Sequence, residues 1–163
     1  MVDFSHLDGN GKARMVDITD KTPSHRSATA KGKVTMRRET VRLIEEEGMA
    51  KGDVFGVAKV AGILAAKRTS DLIPMCHPLE ITGVDIRFDS HADRGEIEIE
   101  ATVKTHGKTG VEMEALTAVG VAALTIYDMC KSADRDIVLT EIFLCRKEGG
   151  KSGTYIRREK NGA

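Results

Sequence analysis

Three short segments of the chain place ionisable side chains beside glycine, proline or small apolar residues, where they could do chemistry. The first, residues 67–79, carries two cations, two hydroxyls and a histidine around a turn with two prolines. Histidine side chains in general titrate near neutrality and can exchange protons at working pH. On this segment alone a structural role for His77 is favoured. His77 would then simply follow a helix whose terminal Lys67 and Arg68 suit the helix dipole.

The second segment, residues 104–110, reads Lys-Thr-His-Gly-Lys-Thr-Gly and precedes a long helical pattern. Free backbone N–H groups at a helix start attract anions, so the segment weakly suggests phosphate binding. A Walker loop needs glycine at position 102, where this chain has Thr102, and the later Gly-Lys-Ser at 150–152 fails because position 145 is Cys145. A P-loop nucleoside triphosphatase is therefore rejected, and a plain glycine-rich turn remains the favoured alternative.

The third segment is the far end of the same long helix, with Asp128 and Lys131. Lys131 suits the negative end of the helix dipole, whereas a carboxylate opposes it, so Asp128 is not expected there on electrostatic grounds. The two residues share a helix face. They form either a surface ion pair, worth about 0.3 kcal/mol, or a lysine–aspartate pair for proton transfer.

The cysteines and histidines are spaced unlike a zinc site. Cys76, His77, His106 and Cys130 are ligand types. The adjacent Cys76 and His77 lack the usual gap of roughly two to four residues between ligands, so we do not expect a metal site. The chain has 3 cysteines and no C-x-x-C pair, which favours a reducing compartment over a disulfide scaffold.

Composition narrows the remaining function classes. The 163 residues carry 25 Lys plus Arg and 25 Asp plus Glu, so the formal net charge is zero, unlike that of proteins that coat nucleic acid. Trp is absent and aromatic residues make up 4% of the chain, which leaves little for base stacking. We find no signal peptide and no apolar run of membrane-spanning length. We therefore expect a cytoplasmic protein that binds neither membrane nor nucleic acid.

Hydrophobic periodicity places these segments on an α+β framework. The predicted elements are a strand over 28–36, helices over 39–47 and 54–67, a hairpin with strands over 84–88 and 97–103, a helix over 111–131 and a strand over 137–146. Asp53 should cap the second helix, and Thr109 with Glu112 should form a capping box on the long one. The second helix is apolar nearly all round and should be packed on several sides.

This element order predicts an α+β sandwich of split-βαβ type, an antiparallel sheet with helices packed on one face. We expect a single domain over residues 1–163. Its N-terminal arm (about 1–14) and its C-terminal tail (about 154–163) lack a periodic pattern and are predicted to be flexible.

The longest motifs resemble those of the cyclic pyranopterin monophosphate synthase family, often called MoaC. The matching stretches are Lys-Gly-Asp-Val-Phe at 51–55, Ala-Lys-Arg-Thr at 66–69, Leu-Ile-Pro-Met-Cys-His-Pro-Leu at 72–79, Gly-Lys-Thr-Gly-Val-Glu-Met-Glu-Ala-Leu-Thr at 107–117 and Ala-Ala-Leu-Thr-Ile-Tyr-Asp-Met-Cys-Lys at 122–131. The resemblance runs from about Met15 to Gly153. It implies a ferredoxin-like fold, in agreement with the element order.

The resemblance also implies an activity and an assembly. Family members act early in molybdenum cofactor biosynthesis as phosphorus–oxygen lyases. They convert 3′,8-cyclo-7,8-dihydro-GTP, the product of a radical GTP cyclase, to cyclic pyranopterin monophosphate and pyrophosphate. They form homohexamers, trimers of dimers, with active sites at subunit interfaces. The same assembly and a functional coupling to the cyclase are expected here. No cofactor is expected, and a magnesium ion on the phosphates is compatible with this chemistry.

Site residues are assigned from the same motifs. The implied catalytic residues are Asp128, Lys131 and Lys51, as general acids and bases of shifted pKa. The implied substrate-binding residues are Met75, Cys76, His77, Lys67, Glu112, Met113, Glu114 and Arg26, of which Arg26 is expected to hold phosphate. From Glu114 to Asp128 a helix rises roughly 21 Å, so we predict that neighbouring subunits share each site.

Two other function classes stay open. The leading alternative is a binding or regulatory module on the same scaffold, which would need the anion site but not Asp128 beside Lys131. A metal-dependent enzyme comes third. Turnover of the cyclised nucleotide separates the first two classes, and elemental analysis tests the third.

Overall fold

The computed structural model describes residues 5–46 and 53–158 of the chain. The elements in that part of the chain are β1 (Ser24–Thr35), α1 (Arg38–Glu45), α2 (Val54–Lys67), α3 (Thr69–Leu72), β2 (Ile81–His91), β3 (Glu96–Gly107), α4 (Glu112–Cys130), β4 (Val138–Glu148) and β5 (Tyr155–Ile156). The predicted elements are present with ends shifted by a few residues. The single turn α3 and the short strand β5 were not predicted.

All the strands join one antiparallel sheet in the order β2-β3-β1-β4-β5. Strand β3 lies between β2 and β1 and runs antiparallel to both. The first four strands therefore have the split-βαβ order of a ferredoxin-like fold. The predicted hairpin joins β2 to β3. Its turn ends at Gly95, whose φ of 70° suits glycine. The predicted α+β fold class is confirmed.

The central strand β1 alternates between a buried face and a charged face, as a half-covered sheet requires. The side chains directed toward the helices are almost fully buried: Ala28, Ala30 and Val34. On the opposite face Lys31 pairs with Glu100 of β3, with 3.3 Å between nitrogen and oxygen. The helices therefore cover one face of the sheet, and the other carries charged side chains.

Helix α4 is the centre of the core. By length and composition it is apolar enough to cross a membrane, contrary to the expectation from sequence that the chain has no such run. It packs instead against α2 and against β1, β3 and β4. Its buried residues include Ala115, Ala118, Val119, Ala122, Ala123 and Ile126. This pattern is that of the core helix of a globular domain.

Helices α2 and α4 approach closely because small residues meet between them. A Cβ atom added at Gly62 of α2 would lie 2.9 Å from the carbonyl oxygen of Ala118 and 3.4 Å from the Cβ of Ala122. The same atom would lie 2.6 Å from the Cδ1 of Ile86, on the sheet beneath. The absent side chain of Gly62 thus sets the spacing of α2, α4 and β2.

The helix starts confirm one capping prediction and contradict the other. The Asp53 carboxylate accepts a hydrogen bond from the backbone N–H of Gly56 at 2.8 Å, as predicted. The capping box on α4 was wrong: α4 begins after Val111 without a side-chain cap. The Glu112 carboxylate is engaged elsewhere, since Lys147 Nζ of β4 donates to it at 2.8 Å.

The outer side of α2 is exposed among the described residues. Val57, Val60 and Leu64 recur at helical spacing and are exposed by 47%, 59% and 49%. The expectation that α2 is packed on several sides is therefore met only on the side that faces α4 and the sheet.

Gly62→Ala should destabilise the fold by about 1–3 kcal/mol, because the added methyl group meets the backbone of α4 and overpacks the core. This loss opposes the gain of about 1 kcal/mol that alanine brings to an exposed helix. Urea unfolding of the purified variant measures the difference. The matched control is Gly83→Ala, where an added Cβ meets nothing within 4 Å. Equal or greater stability of the Gly62 variant would contradict the close packing.

Candidate active site

A cavity of about 350 Å³ lies where the turn before α4 meets the connection between α3 and β2. We call it the histidine cavity, and it is lined by Ser5, His6, Val16, Ile18, Lys21, Met75, Cys76, His77, Leu79, Thr109, Gly110, Glu112, Met113 and Glu114. Its volume is in the range of roughly 300–1,000 Å³ that is usual for small-molecule sites. It brings together six predicted substrate-binding residues: Met75, Cys76, His77, Glu112, Met113 and Glu114.

Local hydrogen bonds fix the connection that carries His77. The buried hydroxyl of Thr69 donates to the carbonyl oxygens of Ala65 and Ala66, at 3.2 and 3.0 Å, where α2 ends. Further along, the backbone N–H of Cys76 donates to Ile73 O at 3.0 Å. These bonds close a tight turn that presents the side chains following it to the cavity.

Glu114 is a strongly perturbed acid in the histidine cavity. Only 4% of the surface of Glu114 is exposed to solvent. Burial raises the pKa of the Glu114 carboxyl to about 7, and the negative charge of Glu112 adds to that rise. A carboxyl with a pKa near neutrality can both donate and accept a proton at working pH.

Cys76 lies in the same cavity and is half-buried. Burial raises the pKa of its thiol, and the nearby Glu114 carboxylate adds to the effect. Cys76 is therefore a neutral thiol at working pH, which suits packing and weak hydrogen bonding more than nucleophilic attack.

A second cavity of about 820 Å³ adjoins the first. We call it the lysine cleft, and it is lined by Asp20, Lys21, Thr22, Ser24, Arg26, Lys108, Thr109, Gly110, Glu112, Lys147, Gly150, Lys151 and Ser152. Four residues line both cavities: Lys21, Thr109, Gly110 and Glu112. The two cavities are therefore neighbours across the turn that precedes α4.

Arg26 lies in the lysine cleft and not in the histidine cavity. Its Nε donates to the carbonyl oxygen of Gly107 at 2.9 Å, and its Nη2 donates to that of Lys108 at 3.2 Å. Two sides of the guanidinium thus brace the Gly-Lys-Thr turn. The assignment of Arg26 to phosphate stays a prediction.

Asp128 and Lys131 lie at the opposite end of α4. Lys131 Nζ donates to Asp128 Oδ1 at 2.6 Å, so the two residues form an ion pair, and their role in proton transfer stays a prediction. Both side chains are more than half exposed, and the hydrogen bond to Asp128 raises the pKa of Lys131. Neither residue lines the histidine cavity or the lysine cleft. With a rise of 1.5 Å per residue, α4 separates its two ends by roughly 27 Å.

The segment that follows α4 is anchored by Asp134, which is 2% exposed. Its carboxylate accepts hydrogen bonds from the backbone N–H of Arg37 at 2.8 Å and of Asp136 at 3.0 Å. The hydrogen bond from Arg37 lowers the pKa of Asp134. This anchor fixes the direction in which the chain leaves Lys131.

Two predicted site residues, Lys51 and Lys67, are absent from the described lining of both cavities. Lys51 lies outside the described residues. Helix α2 leads back from the end of β1 to β2, and α4 leads from the end of β3 to β4, so the two helices run antiparallel. Lys67, at the end of α2, therefore lies at the same end of the helix layer as Glu112, although it lines neither cavity.

The sequence did not predict that the N-terminal segment and most of the lysines line the candidate site. Ser5 and His6 of the arm, and Val16 and Ile18 just after it, line the histidine cavity, although this segment carries no hydrophobic periodicity. The signals in the sequence for the lysine cleft were Arg26, assigned to phosphate from the resemblance, and the Gly-Lys-Thr and Gly-Lys-Ser motifs, which were weighed and rejected as Walker loops. Within residues 5–46 and 53–158, no group of three or more His, Cys, Asp and Glu side chains is arranged to hold a metal.

Comparison with known proteins gives one consistent result. The sequence profile of the MoaC family matches residues 15–150. A protein of Heliobacterium modesticaldum named cyclic pyranopterin monophosphate synthase is 58% identical over 156 residues, which cover 96% of this chain and 98% of that protein. Proteins of the same name from Thermoanaerobacter sp. and Parvibaculum lavamentivorans are 58% and 57% identical, covering 96% and 93% of this chain and 99% and 95% of their own length.

Burial of Glu114 should make the stability of the protein fall as the pH rises. Because its pKa is about 7 in the folded chain and 4.5 in the unfolded chain, the stability from the neutral carboxyl is present below about pH 4.5 and is lost through about pH 7. Glu114→Gln keeps the shape without titrating. Urea unfolding should show the variant more stable than wild type at about pH 8, by up to about 3 kcal/mol, with no difference near pH 4. The same difference at both pH values would contradict the assignment.

Proposed function

The chain belongs to the MoaC family, and we propose that it converts 3′,8-cyclo-7,8-dihydro-GTP to cyclic pyranopterin monophosphate with release of pyrophosphate. Family membership makes it an enzyme of molybdenum cofactor biosynthesis. The observation that carries the proposal is the adjacency of two unlike cavities. One holds His77 and a carboxyl with a pKa of about 7, and the other is lined by lysines.

An elongated nucleotide triphosphate suits this pair of cavities. The guanine-derived ring and sugar need proton donors and acceptors, which His77 and Glu114 offer in the histidine cavity. The phosphates need fixed positive charge, which the lysine cleft offers next to it. We place the substrate across the shared turn, with its ring system on the side of Glu114.

Closure of the cyclic phosphate needs one proton acceptor and stabilisation of one leaving group. In the step we propose, a substrate hydroxyl oxygen attacks the α-phosphorus, and the bond from that phosphorus to the bridging oxygen of pyrophosphate breaks. A base takes the hydroxyl proton, and cationic side chains hold the pyrophosphate as it leaves. Rearrangement of the ring system needs further proton transfers, for which we propose Lys51, Lys131 and Asp128. No resident cofactor is required for these steps, and a magnesium ion on the phosphates is compatible with them.

The position of the Asp128–Lys131 pair supports a site shared between subunits. The pair lies roughly 27 Å from the histidine cavity along α4, too far to act on one reacting centre within a single chain. At about 100° per residue, Met113, Leu124, Asp128 and Lys131 lie within an arc of roughly 60° on one face of α4. Predicted site residues at both ends of the helix thus share a face.

The middle of that face is exposed, and at Gly120 it carries no side chain. Leu124 is 57% exposed, and a Cβ atom added at Gly120 would meet nothing within 4 Å. We propose that a second copy packs its own α4 antiparallel against this face, next to the exposed stripe of α2. A two-fold axis near Gly120 would then bring Lys131 of each copy toward the histidine cavity of the other, twice per dimer. Three such dimers would make the homohexamer.

The proposed reaction takes place in the cytoplasm, where a radical GTP cyclase supplies the substrate. Turnover of purified 3′,8-cyclo-7,8-dihydro-GTP, with product and pyrophosphate measured separately, tests the activity directly. Lys131→Ala should lower kcat by about 10²–10⁴, the usual contribution of one general acid or base. Lys104→Ala, which removes an exposed lysine from the open face of the sheet, is the matched control. No product from the folded wild-type protein would refute the proposed activity.

The shared site predicts recovery of activity when two inactive variants are mixed. In a dimer of one His77→Ala subunit and one Lys131→Ala subunit, one of the two sites keeps both residues intact. After random subunit exchange, activity should return to about a quarter of the wild-type value. Exchange is verified with a size-tagged subunit.

The control mixture combines Asp128→Ala with Lys131→Ala, which remove two partners of one ion pair. These residues come from the same chain in every site, so no mixed dimer holds an intact site and activity should not return. A mixture of His77→Ala with Glu114→Ala, both from one histidine cavity, should not recover activity either. Absence of recovery with His77→Ala and Lys131→Ala, despite verified exchange, would contradict the shared site.

A further inference from the structure

The turn that ends α4 carries Lys131 and has no glycine cap. Many helices end on a glycine in the left-handed region. Lys131, the residue that follows α4, has φ and ψ of −57° and −22° and continues the helical path instead. The side chains of Asp128 and Lys131 in this last turn are more than half exposed. The position of both groups therefore depends on how firmly the backbone of the turn is held.

Hydrogen bonds hold this turn from inside and from outside. The backbone N–H groups of Ala133 and Asp134 both donate to the carbonyl oxygen of Cys130, at 2.8 and 3.0 Å. From outside, Arg37 Nη2 donates to the carbonyl oxygen of Ala133. Because Arg37 lies between β1 and α1, the outer contact ties the end of α4 to a distant part of the chain.

The Asp134 carboxylate joins the same two parts of the chain. Its Oδ2 accepts the backbone N–H of Arg37 at 2.8 Å and the Thr40 hydroxyl at 3.4 Å, and it lies 3.5 Å from Arg37 Nε. Its Oδ1 accepts the backbone N–H of Asp136 at 3.0 Å. Only 1% of the Asp134 side chain is exposed. A buried carboxylate with donors on both oxygens is held in one orientation.

Asp134 also caps α1, although it is not part of that helix. The N-cap residue Arg37 makes no side-chain cap hydrogen bond of its own. The Asp134 carboxylate supplies the missing acceptor to Arg37 N–H and to Thr40, and its negative charge suits the positive end of the helix dipole. The hydrogen bond from Arg37 lowers the pKa of Asp134, so the carboxylate is ionised at working pH. One carboxylate thus fixes the start of α1 against the end of α4.

We propose that Asp134 is a positioning residue for the reaction, and that it acts by holding the turn of Lys131 against the start of α1. Asp134 lines neither the histidine cavity nor the lysine cleft, so its effect passes through Lys131 and Asp128. The inference rests on the proposed function for the role of Lys131 in proton transfer. A shift of about 1 Å in a catalytic group can cost roughly 10²-fold in rate, so an exposed lysine at a helix end needs such an anchor.

The test compares turnover of 3′,8-cyclo-7,8-dihydro-GTP by variants of the anchor. Asp134→Ala should lower kcat about 10- to 100-fold, because the turn loses its fixed position. Its KM should stay within about threefold, because both cavities lie at the other end of α4. Asp134→Asn keeps one acceptor oxygen and should lose less. The matched control is Ser90→Ala, which removes a hydrogen bond of 2.8 Å to Glu45 at the far end of α1. It should leave kcat within about twofold.

Two further measurements separate positioning from a general loss of folded protein. In a Lys131→Ala background, Asp134→Ala should lower kcat by less than about threefold, because the group that it positions is gone. Amide hydrogen exchange in Asp134→Ala should become faster over residues 128–134 and stay unchanged in α2. If thermal unfolding shows that Asp134→Ala does not fold, Arg37→Ala takes its place. The Arg37 side chain is 60% exposed, and its removal frees the carbonyl oxygen of Ala133, so kcat should fall in the same way.

Full kcat in the folded Asp134→Ala variant would overturn the inference. An equal loss with and without Lys131 would overturn it too, since the effect would then be one of general stability, and so would unchanged exchange over residues 128–134. Failure of the proposed function gives a different result. If the wild-type protein forms no product while exchange in Asp134→Ala becomes faster over residues 128–134, the anchor stands and the proposed reaction is wrong.

Discussion

The structure depends on the burial of α4 between α2 and the sheet. Small side chains along α4 let α2 approach so closely that Gly62 has no room for a methyl group. A helix packed on two sides in this way is held in position, so the groups at its ends keep a constant separation. The histidine cavity begins at one end, the Asp128–Lys131 pair lies at the other, and neither can move toward the other without breaking the core.

Around this helix the chain joins segments that are distant in sequence through a few polar contacts. Arg26 of β1 holds the turn before α4 and the turn after β4 together. Lys147 of β4 reaches Glu112 of α4. These contacts lie near the ends of strands, beside the turns that precede α4 and follow β4. The candidate site is assembled where the sheet ends, and the rigid helix determines which residues lie there.

Much of this could be predicted from the sequence, because alternation in strands and helical spacing in α4 are local signals. Six of the eight implied substrate-binding residues line one cavity, since they belong to two motifs that flank the same corner of the fold. The capping box failed because Lys147, which competes for Glu112, arrives from a strand that no local pattern connects to that helix. The arm and β5 were missed because neither has the length or periodicity that such signals require. Lys51 lies outside the described residues, so its place in the site stays a prediction.

The neutral net charge of the chain hides a strong local separation of charge. Acidic residues of β3 lie on the open face of the sheet, whereas five cations line the lysine cleft beside two carboxylates. A negative charge near Glu114 raises the pKa of that carboxyl, and Glu112 already does so. On the substrate placement proposed above, the phosphates bring further negative charge to the cleft beside Glu112, next to the buried acid. Binding of the phosphates would then favour the protonated form of Glu114, so the charge that holds one end of the substrate would prepare a proton donor for the other.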